Sequence, residues 1–210
     1  DNVVSPTKKE VRDYRKISYT VKDALQEGKL LLIGGGEPWY SLNERRWSRP
    51  TLDVNGIVSG YIEEGSKTII PAKASAKISM RLVPNQHPDK IFHDFVKFIR
   101  TLTPKGAKVT VMKHAGALPY KAPTDHPVFD LIKKSLHQHF GREPIFTGVG
   151  GSIGFIPIIA QVLKVPVIMI GFGLPDSNLH SPNEHLILDN YFKGIATMTD
   201  FYHSLANLDT

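Results

Sequence analysis

Apolar residues recur at helical spacing at Val11, Tyr14, Val21 and Leu25 and stop at Gly28. Thr7 followed three residues later by Glu10 is a capping-box signature, so an amphipathic helix is predicted over 7–28. A short apolar run at 30–33 leads into Gly34-Gly35-Gly36-Glu37-Pro38, which opens a loop reaching Pro50. From Thr51 the period drops to two. Leu52, Val54 and 57–62 read as a strand with an irregularity at Gly56, turning at Glu63-Glu64-Gly65-Ser66. Between Thr68 and Pro84 the alternation is strict: Ala72, Ala74, Ala76, Ile78, Met80 and Leu82 share one face, and Lys73, Ser75, Lys77, Ser79 and Arg81 the other. That strand should have one wet face. Ile91, Phe92, Phe95, Phe98, Ile99 and Leu102 mark a helix, and 107–113 alternates again as a strand.

Beyond Gly116 the pattern changes. Asp125-His126-Pro127 opens a helix that runs to Phe140-Gly141, 145–149 reads as a short strand, and a helix begins near Ser152. A continuous β-branched run over 165–170 and a final helix over 189–205 complete the chain. Uninterrupted apolar strands alternating with helices are what a sheet covered on both faces requires. Two such strands leave open edges, so the sheet is expected to be incomplete. The fold class is therefore α/β overall: an α+β two-layer unit over 1–115, then an α/β portion over 116–210.

Composition narrows the chemistry. With 41% hydrophobic and 22% charged residues, 17 Gly and 15 Pro, the 210-residue chain is ordinary globular material. It contains no cysteine, which excludes disulfides, thiolate metal sites and thiol nucleophiles; any metal must use His, Asp or Glu. The most apolar stretch, 156–175, is broken by Pro157, Gln161, Lys164 and Pro166, so no membrane span is expected. The chain begins at Asp1 rather than Met and carries no signal segment, which suggests a processed or truncated start. The net charge of +6 is concentrated in the first half, with cations dispersed singly and few interleaved aromatics, so a nucleic-acid partner is set aside. Seven of the nine histidines lie in the second half.

Three positions invite chemistry. His180 lies in a long polar loop after the apolar 165–170 run, where ligand sites of open α/β sheets occur; it could ligate a metal, with Glu184 or Asp176 in support, or be a plain surface residue. Gly150-Gly151-Ser152-Ile153-Gly154 matches the nucleophile-elbow string of serine hydrolases, with Asp176 and His180 or His203 following in hydrolase order. Ser152 could equally be a helix N-cap, or the same helix start could hold a substrate carboxylate. Arg81, on the polar face of its strand, is either a solvated charge or a bidentate carboxylate ligand. Thr68, Asn55 and His114 decide nothing singly.

In combination, Lys67-Thr68-Ile69-Ile70-Pro71, Ser79-Met80-Arg81-Leu82-Val83-Pro84, Gly150-Gly151-Ser152 and Asn178-Leu179-His180-Ser181-Pro182-Asn183-Glu184 resemble the dinuclear-zinc exopeptidase family of carnosinase, glutamate carboxypeptidase, aminoacylase and succinyl-diaminopimelate desuccinylase. The likeness covers about residues 40–206. It is strongest with the cytosolic dipeptidase, carnosinase-like branch, which carries a stretch similar to Arg49-Pro50-Thr51-Leu52-Asp53-Val54-Asn55-Gly56-Ile57.

The resemblance implies a zinc-dependent dipeptidase or carboxypeptidase, cytoplasmic, hydrolysing a peptide or amide bond next to a free carboxylate in a small peptide or N-acyl amino acid. Residues 1–115 would be the lid and homodimer-forming domain, and 116–210 the C-terminal segment of the catalytic domain. His180 would be a zinc ligand. Arg81, Gly151 and Ser152 would take the substrate carboxylate. His114 would act catalytically at the scissile group, and Thr68 would bind substrate, reaching across the dimer. Two zinc ions per intact subunit are implied, with a site incomplete in this chain, because the family's His-x-Asp pair, bridging Asp and Glu-Glu pair have no counterpart here. His87-Pro88-Asp89 and Glu63-Glu64 mimic those strings but open a helix and form a turn. Gly148-Val149 stands where that branch has an acidic residue, and Gly154-Phe155 intervenes before Pro157. The chain alone is expected to be inactive. A non-catalytic dimerisation module and a serine hydrolase are the alternatives.

Overall fold

The structure, a computed structural model, describes residues 2–208. Its elements in chain order are α1 (Lys8–Tyr14), α2 (Val21–Glu27), α3 (Leu42–Ser48), β1 (Thr51–Ser59), β2 (Ala74–Arg81), α4 (Pro88–Leu102), α5 (Pro127–Phe140), α6 (Ile156–Leu163) and α7 (Leu188–Ala206). They fall into two units. One comprises the residues up to Pro6, Gly35–Tyr120 and Gly148–Gly154; the other comprises Thr7–Gly34, Lys121–Thr147 and Phe155 onward.

In the first unit β1 and β2 form an antiparallel hairpin, pairing Thr51 with Arg81, Leu52 with Met80, Val54 with Ile78 and Ile57 with Ala76. A bulge between Val54 and Gly56 makes this register work. Leu52 and Val54 occupy even positions and Ile57 an odd one, so a regular strand would point Ile57 away from the other two. The extra residue, Asn55, restores parity, and all three line up opposite Ala76, Ile78 and Met80. The expected irregularity at Gly56 is thus real. The expected wet and dry faces are not: the hairpin is exposed on both sides, with Ile57 73% exposed.

Helix α4 follows a His87-Pro88 start, in which the His87 Nδ1 accepts from the Asp89 backbone N–H at 3.3 Å and Pro88 occupies the first turn. The segment before β1, expected to be plain loop, contains α3. Its start is a capping box: Ser41 Oγ accepts from the Glu44 N–H at 3.3 Å, and the Glu44 carboxylate accepts from the Ser41 N–H at 2.9 Å.

The second unit is helical. The predicted helix over 7–28 is two helices, because Thr20 and Asp23 form a second capping box that starts a new helix where the first has run out. Helix α5 begins at a His126 N-cap followed by Pro127 and ends at Gly141, whose φ of +67° closes the last turn as only glycine does freely. It packs on α7 through Val128, Phe129, Ile132 and Phe201, all buried, with Phe146, Ile168, Ile170 and Met198 around them. Phe129 meets Phe146 edge to face at 5.6 Å. Thr197 is fully buried and donates its hydroxyl to the Lys193 carbonyl at 2.8 Å, which removes the penalty of burying it unpaired.

Three expected strands, 107–113, 145–149 and 165–170, carry no ladder among the described residues; β1 and β2 form the sheet. Alternating or continuous apolar residues favour extended backbone, but a strand exists only against a hydrogen-bonded neighbour. Ile168 and Ile170 still pack against the core, as side chains of a segment that carries no ladder.

Glu10 ties α1 to the chain after Lys121. Its carboxylate accepts from the Thr7 N–H at 2.7 Å and from the Lys121 ammonium at 2.6 Å. Burial pulls this carboxyl upward, but Lys121 and Thr7 together hold it below its ordinary value of 4.5. A carboxyl lowered in the folded state contributes stability above its unfolded value and loses it as pH falls through the folded one. Glu10→Gln is therefore expected to cost about 1 kcal/mol at neutral pH, and the difference from the parent chain should vanish in acid. Thermal melts across that range check it.

Candidate functional site

Arg81 ends β2 opposite Thr51, and its Nη1 donates to the Ser152 hydroxyl across 71 residues of sequence. Both lie in the first unit and both are exposed. The Gly148–Gly154 loop that carries Gly151 and Ser152 is seated against Arg46 and Trp47 at the end of α3. A Cβ added at Gly148 would lie 2.5 Å from the Trp47 carbonyl oxygen and 2.9 Å from its Cα. A side chain at 148 therefore has no room.

On its other side the loop meets the segment that carries His114. A Cβ at Gly154 would stand 3.5 Å from that of Ala117. The segment is fixed in turn to the start of α4: Lys113 pairs with Asp89, and a Cβ at Gly116 would press on Pro88 at 3.0 Å. The hydrogen bond and charge of Lys113, with a smaller contribution from His87, hold the Asp89 carboxyl below its ordinary value. The structure thus brings together the end of β2, the Ser152 loop and the segment at Ala117, three residues after His114. Thr68 lies exposed in the β1–β2 connection.

Helix α3 is itself anchored. The Arg49 guanidinium pairs with Glu37 and lies over the Tyr40 ring at 4.6 Å, while Arg45 Nη1 donates to the Gly35 carbonyl at 3.1 Å. Gly36, at φ +75°, passes so near that a Cβ there would fall 2.8 Å from the Arg45 Cδ. Gly35 and Gly36 thus lie against Arg45 of α3. Sequence reasoning missed this arrangement, although Ser41-x-x-Glu44 was a legible start signal.

Two expectations for Ser152 fail. It caps no helix, because α6 begins only at Ile156 with Phe155 at its N-cap and no side-chain cap bond. No strand leads into Gly150, so no nucleophile elbow forms. The group bonded to its hydroxyl is a guanidinium, which has no lone pair with which to take a proton. What a paired guanidinium and hydroxyl can do is receive a carboxylate.

His180 belongs to the second unit. Its loop is wound about Ser177, which is buried; the Ser177 Oγ accepts from the Leu174 N–H at 3.0 Å and its carbonyl from the His185 N–H at 3.0 Å. Asn178, His180 and Asn183 take left-handed backbone at φ +52°, +60° and +62°. Such positions cost of order 1 kcal/mol for a residue like His and concentrate at functional loops. The Glu184 carboxylate accepts from the His180 backbone N–H at 3.2 Å. Among the described residues no three His, Asp or Glu side chains are grouped to hold a metal ion, so the residues present do not form a metal site. No described helix is long and apolar enough to cross a membrane.

Comparison with known proteins accords with this layout. The family model of a peptidase dimerisation domain, of M20 type, matches residues 9–107. The Cys-Gly metallodipeptidase dug1 of Schizosaccharomyces pombe is 32% identical over 99% of this chain and 44% of its own length. Among solved structures, the M20 family metallo-carboxypeptidase Sso-CP2 from Sulfolobus solfataricus superposes with a TM-score of 0.78 at 28% identity, over 96% of this chain and 46% of that one. Human carnosine dipeptidase 1 gives 0.78 at 25% identity, over 99% and 44%. The chain spans under half the length of these relatives. Residues 9–107 are thus similar to the M20 peptidase dimerisation domain, in a chain similar to a metallodipeptidase and to an M20 family metallo-carboxypeptidase.

Proposed function

We propose that this chain supplies the carboxylate-binding and subunit-contact parts of a zinc-dependent cytoplasmic dipeptidase or carboxypeptidase, which hydrolyses a peptide or amide bond next to a free carboxylate. The observation that carries the reading is the Arg81–Ser152 hydrogen bond, which joins two residue types suited to a terminal carboxylate across 71 residues of sequence. A guanidinium offers two parallel N–H donors in the plane of a carboxylate, and the serine hydroxyl adds a third. Gly151, next to Ser152 in the sequence, is assigned to the same carboxylate, and His114 to the scissile group. Thr68 is assigned to substrate contact across a homodimer formed by the lid at 1–115. The relatives are named as metallopeptidases, and His180 is proposed as one zinc donor; the remaining donors are not supplied by these residues, and no catalytic step is derived through the ion.

The test compares each dipeptide with its C-terminal amide, in polypeptide of the length of the relatives and loaded with zinc. Loss of the carboxylate charge should lower kcat/KM roughly 10- to 150-fold, the equivalent of about 1.5–3 kcal/mol for a charged hydrogen-bond pair. Equal cleavage of both would sink the reading. The 210-residue chain by itself, dialysed against zinc, is expected to retain much less than one ion per molecule; metal analysis decides this.

A further inference from the structure

The first unit contains a chain of contacts that ends at Ser152 and that the binding of a carboxylate does not by itself require. It begins at Gly35 and Gly36. Arg45 is held by the Gly35 carbonyl and packs over Gly36; Arg49 is held by Glu37 and Tyr40; the two arginines flank the last turn of α3. That turn presents the Trp47 backbone to Gly148, at a separation that admits no side chain, and the Arg46 carbonyl lies 3.8 Å from where a Gly150 Cβ would stand. Four residues beyond Gly148, the Ser152 hydroxyl meets Arg81.

We propose that α3 is the positioning element of the Arg81–Ser152 pair: the Trp47 backbone acts as the stop against which Gly148 sets the height of the loop, and thereby the reach of Ser152 to Arg81. The role proposed for Trp47 and Gly148 acts through Ser152, which makes them positioning rather than catalytic residues. The inference deepens the carboxylate reading and rests on it only for what the pair binds. Its physical basis is that a loop without helix or ladder hydrogen bonds of its own takes its place from what it leans on. At its glycines this loop comes close to α3 and to Ala117, and at Ser152 it meets Arg81. A methyl group at 148 must push the loop off α3, because its obstacle is a carbonyl oxygen and a Cα, neither of which can turn aside.

The test uses the full 210-residue chain labelled at arginine nitrogen. The Arg81 guanidinium signal, assigned by its absence in Arg81→Met, should be restricted in the parent chain and released in Ser152→Ala. Gly148→Ala is expected to release it equally, and Gly148→Ala with Ser152→Ala to do no more than either alone. Binding of N-acetylglycine, with its amide as control, should weaken roughly tenfold in the same variants. A mere loss of stability would lower the melting midpoint without freeing Arg81 in the folded population. If Gly148→Ala folds and keeps the restricted signal, the proposal is overturned. If Gly148→Ala does not fold, Arg45→Met, which releases α3 from the Gly35 carbonyl, takes its place: partial release supports the proposal and an unchanged signal overturns it. If the parent chain shows the restricted signal and its release in the variants but no affinity for N-acetylglycine, the carboxylate reading fails and the positioning role stands.

Discussion

Phe129→Ala is expected to destabilise the helical unit by about 3–5 kcal/mol, the range for deleting a buried aromatic side chain. Phe129 is 2% exposed and sits where α5 meets α7, beside Ile132 and Phe201 and edge to face with Phe146. Its removal takes away the transfer free energy of the ring and leaves a void that Val128, Ile132 and Phe201 can only partly fill, since their backbones are fixed in two separate helices. Against a total of about 5–15 kcal/mol for a typical domain, the loss is a large fraction. Denaturant titration followed by circular dichroism should show an earlier midpoint with the slope unchanged. Phe129→Leu, which keeps most of the volume, should recover more than half of the loss. A loss below about 1 kcal/mol for the alanine variant would mean that α5 and α7 do not share a core.

Arg81→Met is expected to abolish the preference of the assembled enzyme for free carboxylates over amides. Methionine keeps the apolar stem and removes the fork of donors. Activity on the dipeptide should fall roughly 10- to 150-fold in kcat/KM, while activity on the amide should scarcely change, because the amide never made the charged contact. Arg81→Lys should recover only part, since an ammonium cannot donate two parallel bonds to one carboxylate and also reach Ser152. Ser152→Ala should act in the same direction with a smaller effect. If Arg81→Met lowers both substrates equally, Arg81 contributes to folding or to the lid rather than to recognition of the carboxylate.

Helices and caps were readable wherever the signal is local. Thr7-x-x-Glu10, His87-Pro88, His126-Pro127 and Gly141 each mark a boundary that the structure keeps, because the partner of each backbone group lies within a few residues. The bulge was foreshadowed by the parity change between Val54 and Ile57. The three segments that carry no ladder were not separable from strands, since a ladder depends on a distant neighbour that no local pattern encodes. The break between α1 and α2 and the start of α3 were legible in principle, as Thr20-x-x-Asp23 and Ser41-x-x-Glu44, but continuous helical spacing and a proline- and glycine-rich context outweighed them. At the candidate site, Arg81 and Ser152 could be paired from the family resemblance and from nothing in their spacing. The Trp47–Gly148 contact was invisible, because a glycine chosen for lack of room looks in sequence like a glycine chosen for a turn.

The extra residue in β1 has a consequence for self-association. Deleting Asn55 would leave Leu52, Val54 and Ile57 facing the same neighbours on β2, so the hairpin would lose nothing within itself. It would, however, become a straight ribbon with two flat, uninterrupted margins and apolar side chains open to water, the shape that recruits identical ribbons into fibres. A bulge bends its strand and raises the local twist, so the extra residue at Asn55 disfavours flat edge-to-edge stacking of this hairpin.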